Sequence, residues 1–120
     1  MPEIANSGQD NKMAYDLKLA ERIRTEIQGV PYVEKKMFGG VGFLLQGNMA
    51  CGVYKNDMII RVDPAKHEML LKKKHTKPFA LTGKPMKGWL LVEADGCKTA
   101  KQISAWVKEG IEFALTLPPK

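Results

Sequence analysis

The groups in this chain that could do chemistry are few: Cys51 and Cys97, His67 and His75, and scattered carboxylates such as Asp57 and Asp63. A thiolate paired with an imidazole is a nucleophile, so Cys51 with His67 or His75 is the pairing an enzyme would use. Cys51, however, stands in the middle of Met49-Ala50-Cys51-Gly52-Val53, a strand-like run in which a thiol is ordinarily an inert piece of core. The two thiols and two imidazoles are also the soft metal ligands, but no pair has the short CxxC or HxxxH spacing that builds a zinc site. His67 in addition stands among lysines, which disfavour a nearby cation. Asp57, beside Asn56, and Asp63, before Pro64, have turn and helix-cap roles that account for them. Buried cysteines, surface histidines, no catalytic residue, no metal and no cofactor are therefore expected. A Cys51 nucleophile is the enzymatic alternative.

Charge is the stronger signal. The 120 residues hold 19 Lys+Arg and 13 Asp+Glu, a formal net charge of +6. Lys66, Lys72, Lys73, Lys74, Lys77, Lys84 and Lys87 fall within one segment whose only acid is Glu68, so this segment holds the whole excess and the remainder is balanced. Concentrated positive charge attracts polyanions and releases counterions from phosphates. The segment lacks arginine, the residue best suited to bidentate reading of guanine. Its stacking aromatics are limited to Phe79 inside and Trp89 just beyond. A solvated face that complements a helix dipole is the plain reading; weak nucleic-acid or acidic-partner binding is the alternative. Met37-Phe38-Gly39-Gly40 offers backbone N–H groups for an anion nest. It matches neither GxxxxGK[ST] nor GxGxxG, so a tight turn anchored by Met37 and Phe38 is expected.

The elements that must position these residues follow from pattern. The length suits one domain that buries roughly two-thirds of its unfolded surface. Apolar residues at helical spacing, Ala20, Ile23 and Ile27, predict a helix over Asp16 to Gln28, capped by Asp16 and stopped by Gly29 and Pro31. Short apolar or alternating runs, Val33–Met37, Val41–Gln46, Met49–Tyr54 and Met58–Asp63, are separated by Gly- and Asn-containing turns and predict an antiparallel meander. Asp63-Pro64 opens a short helix to about Lys73 with Ala65, Met69 and Leu70 as its apolar stripe. Residues 74–88 read as an irregular connection, Trp89–Glu93 as a strand, and Lys98 or Thr99 onward as a last helix in which Gly110 marks a close approach by another element. Met37, Met49, Met58, Met69 and Met86 are expected to fill core or interface gaps. The fold class is α+β, a two-layer antiparallel sheet with helices on one face, in the order α-β-β-β-β-α-β-α.

Two isolated cysteines suit a reducing compartment. No stretch approaches the ~18 apolar residues of a membrane span, so a cytoplasmic protein with no membrane association is expected. Residues 1–14 read as a flexible tail with Met13 as an alternative start, 15–117 as the domain, and 118–120 as a C-terminal tail.

Met37-Phe38-Gly39-Gly40 with Gly42-Phe43, Met49-Ala50-Cys51-Gly52-Val53, Ile60-Arg61-Val62, the run Thr82-Gly83-Lys84-Pro85-Met86-Lys87-Gly88-Trp89, and Ala105-Trp106-Val107 with Leu117-Pro118-Pro119 together resemble the TfoX/Sxy family, specifically its N-terminal domain. The resemblance runs from about Met13 to the end. It implies a two-layer α+β unit similar to secretion-chaperone-like folds, with Met37, Phe38, Gly39, Gly40, Gly83, Pro85, Met86 and Trp89 as structural motif positions. Full-length members are bacterial regulators of natural competence that act with the cAMP receptor protein and carry a second, helical domain. This chain ends where that domain would begin, so a stand-alone regulatory module is expected. Its partner would be an unidentified protein, a second copy of itself included; nucleic acid is the weaker alternative, and no small-molecule substrate is inferred.

Overall fold

A computed structural model describes residues 15–37, 39–80 and 83–120. The tail expected over 1–14, and Phe38 of the expected turn, lie outside the described residues.

Helix α1, Leu17–Ile27, starts where Asp16 Oδ1 accepts from the N–H groups of Lys18 (2.9 Å) and Leu19 (3.1 Å). This supplies partners to N–H groups that a first turn otherwise leaves unpaired. Its buried stripe is Leu19, Ala20, Ile23 and Ile27. The chain then forms β1 (Val33–Met37), β2 (Gly40–Leu45), β3 (Asn48–Tyr54) and β4 (Asp57–Arg61), each pairing antiparallel with the next. The reversals use left-handed residues: Gly39 at φ +76°, Gln46 and Gly47 at +52° and +87°, and Lys55 at +57°.

Beyond β4, Asp63 caps a 3-10 turn over Pro64–Lys66 through Ala65 N–H (2.9 Å), and α2 follows as only His67–Leu71. The expected stripe holds at Leu70 alone. Ala65 is exposed and Met69 is 59% exposed, so Met69 is not the core residue its spacing suggested. The stretch read as irregular contains a strand, β5 (Thr76–Pro78), which pairs antiparallel with β6 (Trp89–Val92). β6 in turn pairs with β4, giving one six-stranded sheet ordered β1-β2-β3-β4-β6-β5. The element order therefore gains one strand over the expectation, while the α+β class and the antiparallel sheet stand.

Helix α3, Ala100–Ala114, begins in a capping box between Thr99 and Gln102. It buries Ile103, Val107, Gly110 and Ala114, and with α1 it covers one sheet face carrying Phe43, Val53, Met58, Ile60 and Leu90. Gly110 faces the Ala50 carbonyl directly, the close approach that a glycine inside a helix suggested. The opposite sheet face is not bare. Met49, Ile59 and Leu91 form a second, smaller core with Phe79, and Met86 packs against it. Phe79, Ala80 and residues 83–88 thus act as a strap over that face, closed by the Met86 N–H to Phe79 carbonyl bond (3.0 Å).

The last residues return to the sheet. The side-chain amide of buried Asn48 donates to the Pro118 carbonyl (2.9 Å), and Lys120 N–H donates to the Gln46 carbonyl (2.8 Å).

Candidate functional site

The fold divides the lysines that the sequence places together. Lys66 reaches Glu109 on α3 (3.2 Å), and Lys77 on β5 sits between Asp57 (3.1 Å) and Glu93 (3.5 Å). The hydrogen bond to Asp57 holds the Lys77 ammonium above its ordinary pKa. Lys73 lies over the indole of Trp106, 5.5 Å from the ring centre. Lys72 and Lys74 are exposed beside it at the end of α2, while exposed Lys84 rides on the strap across the opposite face. Lys87 is exposed next to Gly88. Lys72, Lys73 and Lys74 are thus consecutive and exposed, and Lys66 pairs with Glu109, which lines the same cleft as Lys73 and Lys74.

The aromatics change roles as well. Phe79 is buried in the second core. Trp89 is half-buried, with the Arg61 guanidinium 4.9 Å from its ring centre; Arg61 also approaches Phe113 (5.7 Å), and burial lowers its pKa. Trp106 is half-buried, packs against the main core and also lines a cleft of about 460 Å³ with Leu70, Lys73, Lys74, His75 and Glu109. A second cleft of about 180 Å³ lies among Asp16, Lys18, Arg22 and Cys97. What would have exposed the role of Trp106 is the i, i+3, i+4, i+7 row Gln102, Ala105, Trp106 and Glu109, a polar-edged stripe beside the apolar one.

Both thiols and one of the two imidazoles are enclosed. Cys51 is wholly buried, and desolvation pushes its thiol up to about 12; the thiolate that nucleophilic chemistry needs is suppressed at neutral pH. Cys97 is also buried, and the same cause raises it to about 11. His67 is not a surface residue. It is 4% exposed, and its Nδ1 accepts from Gly88 N–H (2.9 Å), fastening α2 to the strap's end. His75 is exposed and turns the chain at φ +68°. Among the described residues, no group of three or more His, Cys, Asp or Glu side chains is placed to hold a metal, and no helix is long and apolar enough to cross a membrane.

The motif positions build the scaffold. Gly39 turns β1 into β2, and Gly83 lies in the strap at φ +87° with exposed Pro85 beyond it. Met86 and Trp89 pack on the second core, as does Met37.

The sheet's two edges differ. β5 is three residues long and ends in Pro78, and proline and brevity both blunt an edge. Among the described residues β1 has β2 on one side only, and Val33, Glu34, Lys35 and Lys36 are all exposed, Val33 at 67%. Arg24 on α1 grips Glu34 with two hydrogen bonds, one of 2.9 Å, which raise the arginine's pKa.

An antiparallel sheet with its long helices on one face, a strap on the other and enclosed thiols makes up a small α+β domain. Residues 28–114 match the model of the TfoX N-terminal domain, and the chain belongs to that family. No curated protein and no solved structure matches it.

Proposed function

We propose that this protein is a non-catalytic regulatory or adaptor module that engages another protein chain by strand addition at the outer edge of β1, with a second copy of itself as one such chain. The observation that carries this reading is the edge itself: a five-residue strand whose outward side has no strand partner among the described residues and whose residues from Val33 to Lys36 are exposed. Unpaired N–H and C=O groups on such an edge recruit an extended segment by main-chain hydrogen bonding. Glu34, Lys35 and Lys36 make that recruitment selective, because a strand carrying misplaced charge is repelled. Suppression of both thiols supports a non-catalytic role, and family membership supports a regulatory one.

The test uses proline. Backbone N–H groups along a strand point alternately to either side, so of Lys35→Pro and Lys36→Pro one removes a bond to β2 and the other only blocks the outer edge. The variant that keeps wild-type stability is the informative one. It is expected to lose self-association in sedimentation equilibrium, or to lose the proteins that the wild type captures from nuclease-treated cytosol. Retention of both by that variant would remove β1 as the docking element.

A further inference from the structure

The cleft between the end of α2 and the middle of α3 has a construction that strand addition at β1 does not use. One wall is the α3 row of Ala105, Trp106 and Glu109; the other is Leu70 with the turn through Lys73, Lys74 and His75. The floor is Gly96. A β-carbon there would lie 2.8 Å from that of His75 and 2.7 Å from a Val92 methyl, so glycine lets the turn sit down against the sheet. Glu93 N–H donates to the His75 carbonyl (2.7 Å), and the Thr76 hydroxyl donates to the Lys73 carbonyl (2.6 Å), which fixes the turn. The volume of about 460 Å³ falls within the roughly 300–1,000 Å³ of ligand-sized clefts.

We infer that this cleft binds single-stranded nucleic acid, with one unpaired base stacked on Trp106 and the adjacent phosphates held by Lys73 and Lys74. The indole is half-buried with Lys73 Nζ over its face, so a cation occupies the place a base would take. A base entering the cleft displaces that ammonium towards its own phosphate. Glu109, the one carboxylate lining the cleft among the described residues, does not oppose an anion at full strength because Lys66 pairs with it at 3.2 Å. The arrangement combines the two parts of a sequence-tolerant single-strand site, an aromatic platform and cations along the backbone track. A duplex fits it poorly: its bases are already stacked, and no arginine lines the cleft to read them from a groove. An acidic peptide gains little from the platform, since the π face of an indole is itself electronegative.

The experiment places Trp106 as the sole fluorophore of its kind by Trp89→Phe, a position outside the cleft. Oligothymidylate, inorganic polyphosphate, a duplex and a polyglutamate peptide are each titrated at low salt. Oligothymidylate is expected to quench Trp106 saturably, and the affinity to fall with salt at a log–log slope of about −0.7 for each phosphate engaged. Polyphosphate, duplex and polyglutamate should leave the indole largely unquenched. By anisotropy of a labelled oligothymidylate, Trp106→Leu should weaken binding roughly 5- to 150-fold, and Lys73→Ala with Lys74→Ala should flatten the salt slope in a protein that keeps its aromatic platform. Absence of quenching by oligothymidylate, or equal quenching by polyphosphate or polyglutamate, would overturn the inference. Because the Trp89→Phe protein carries no change in the cleft, the first measurement stands even where Trp106→Leu fails to fold.

Discussion

Gly110→Ala tests how closely helix α3 lies on the sheet. A β-carbon at this position would stand 2.2 Å from the Ala50 carbonyl oxygen and 3.0 Å from its carbon. Carbon and oxygen rest at roughly 3.3 Å or more, so α3 would have to withdraw by about 1 Å. Both sides of the contact are backbone, and no side-chain rotation can relieve it. A withdrawal of that size forfeits about a quarter to a half of the dispersion energy between facing atoms, here along Ile103, Val107 and Ala114, which share the buried stripe. Overpacking costs about 1–3 kcal/mol and occasionally more; alanine returns about 1 kcal/mol of helix propensity. With rigid partners the cost belongs at the upper end, leaving a net loss of about 2 kcal/mol. At roughly 4 °C per kcal/mol for a chain of this size, the melting temperature should fall by about 8 °C. Urea and thermal unfolding followed by circular dichroism measure the two, with Gly29→Ala as the control. Nothing lies within 4 Å of a β-carbon at Gly29, so that variant should be neutral or gain up to about 1 kcal/mol. A Gly110→Ala protein as stable as the wild type would show that α3 does not rest on the Ala50 carbonyl.

Two further outcomes follow from local chemistry. Burial raises the Cys51 thiol from 9.0 to about 12, so the folded state holds a proton that the unfolded chain gives up. The stability tied to that proton is intact below about pH 9 and is lost as pH rises towards 12, at about 1 kcal/mol per pH unit. Urea curves across this window should show a shallower alkaline loss for Cys51→Ala than for the wild type, and an equal slope would contradict the burial. At the start of α3, Thr99 Oγ1 accepts from Gln102 N–H (3.1 Å) while Gln102 Oε1 accepts from Thr99 N–H (3.0 Å). Thr99→Ala should cost about 1 kcal/mol, and Gln102→Ala added to it less than Gln102→Ala alone, since the two bonds form one device; strict additivity in thermal unfolding would argue against the box.

What the sequence determined by itself is local. Asp16 and Thr99 cap the helices they precede, Gly39 turns β1 into β2, and alternation through Val53, Met58 and Ile60 marks strands with a core-facing side. Those signals depend on neighbours a few residues apart, and so do the rules that read them. The family motif is legible for the same reason, since Met86 and Trp89 hold the strap from within one short run. Tertiary structure decided everything that depends on distant partners. β5 exists because Thr76, Lys77 and Pro78 find Val92, Leu91 and Leu90; nothing in a lysine- and proline-containing run announces that pairing. His67 is buried because Gly88, 21 positions away, supplies its hydrogen bond. Charge was the least legible property. Composition counts lysines, but whether a lysine faces solvent or a carboxylate depends on what folding brings within a few ångströms. Glu109 and Asp57 claim Lys66 and Lys77, leaving Lys72, Lys73 and Lys74 consecutive and exposed beside an indole that packs on the core and also lines their cleft.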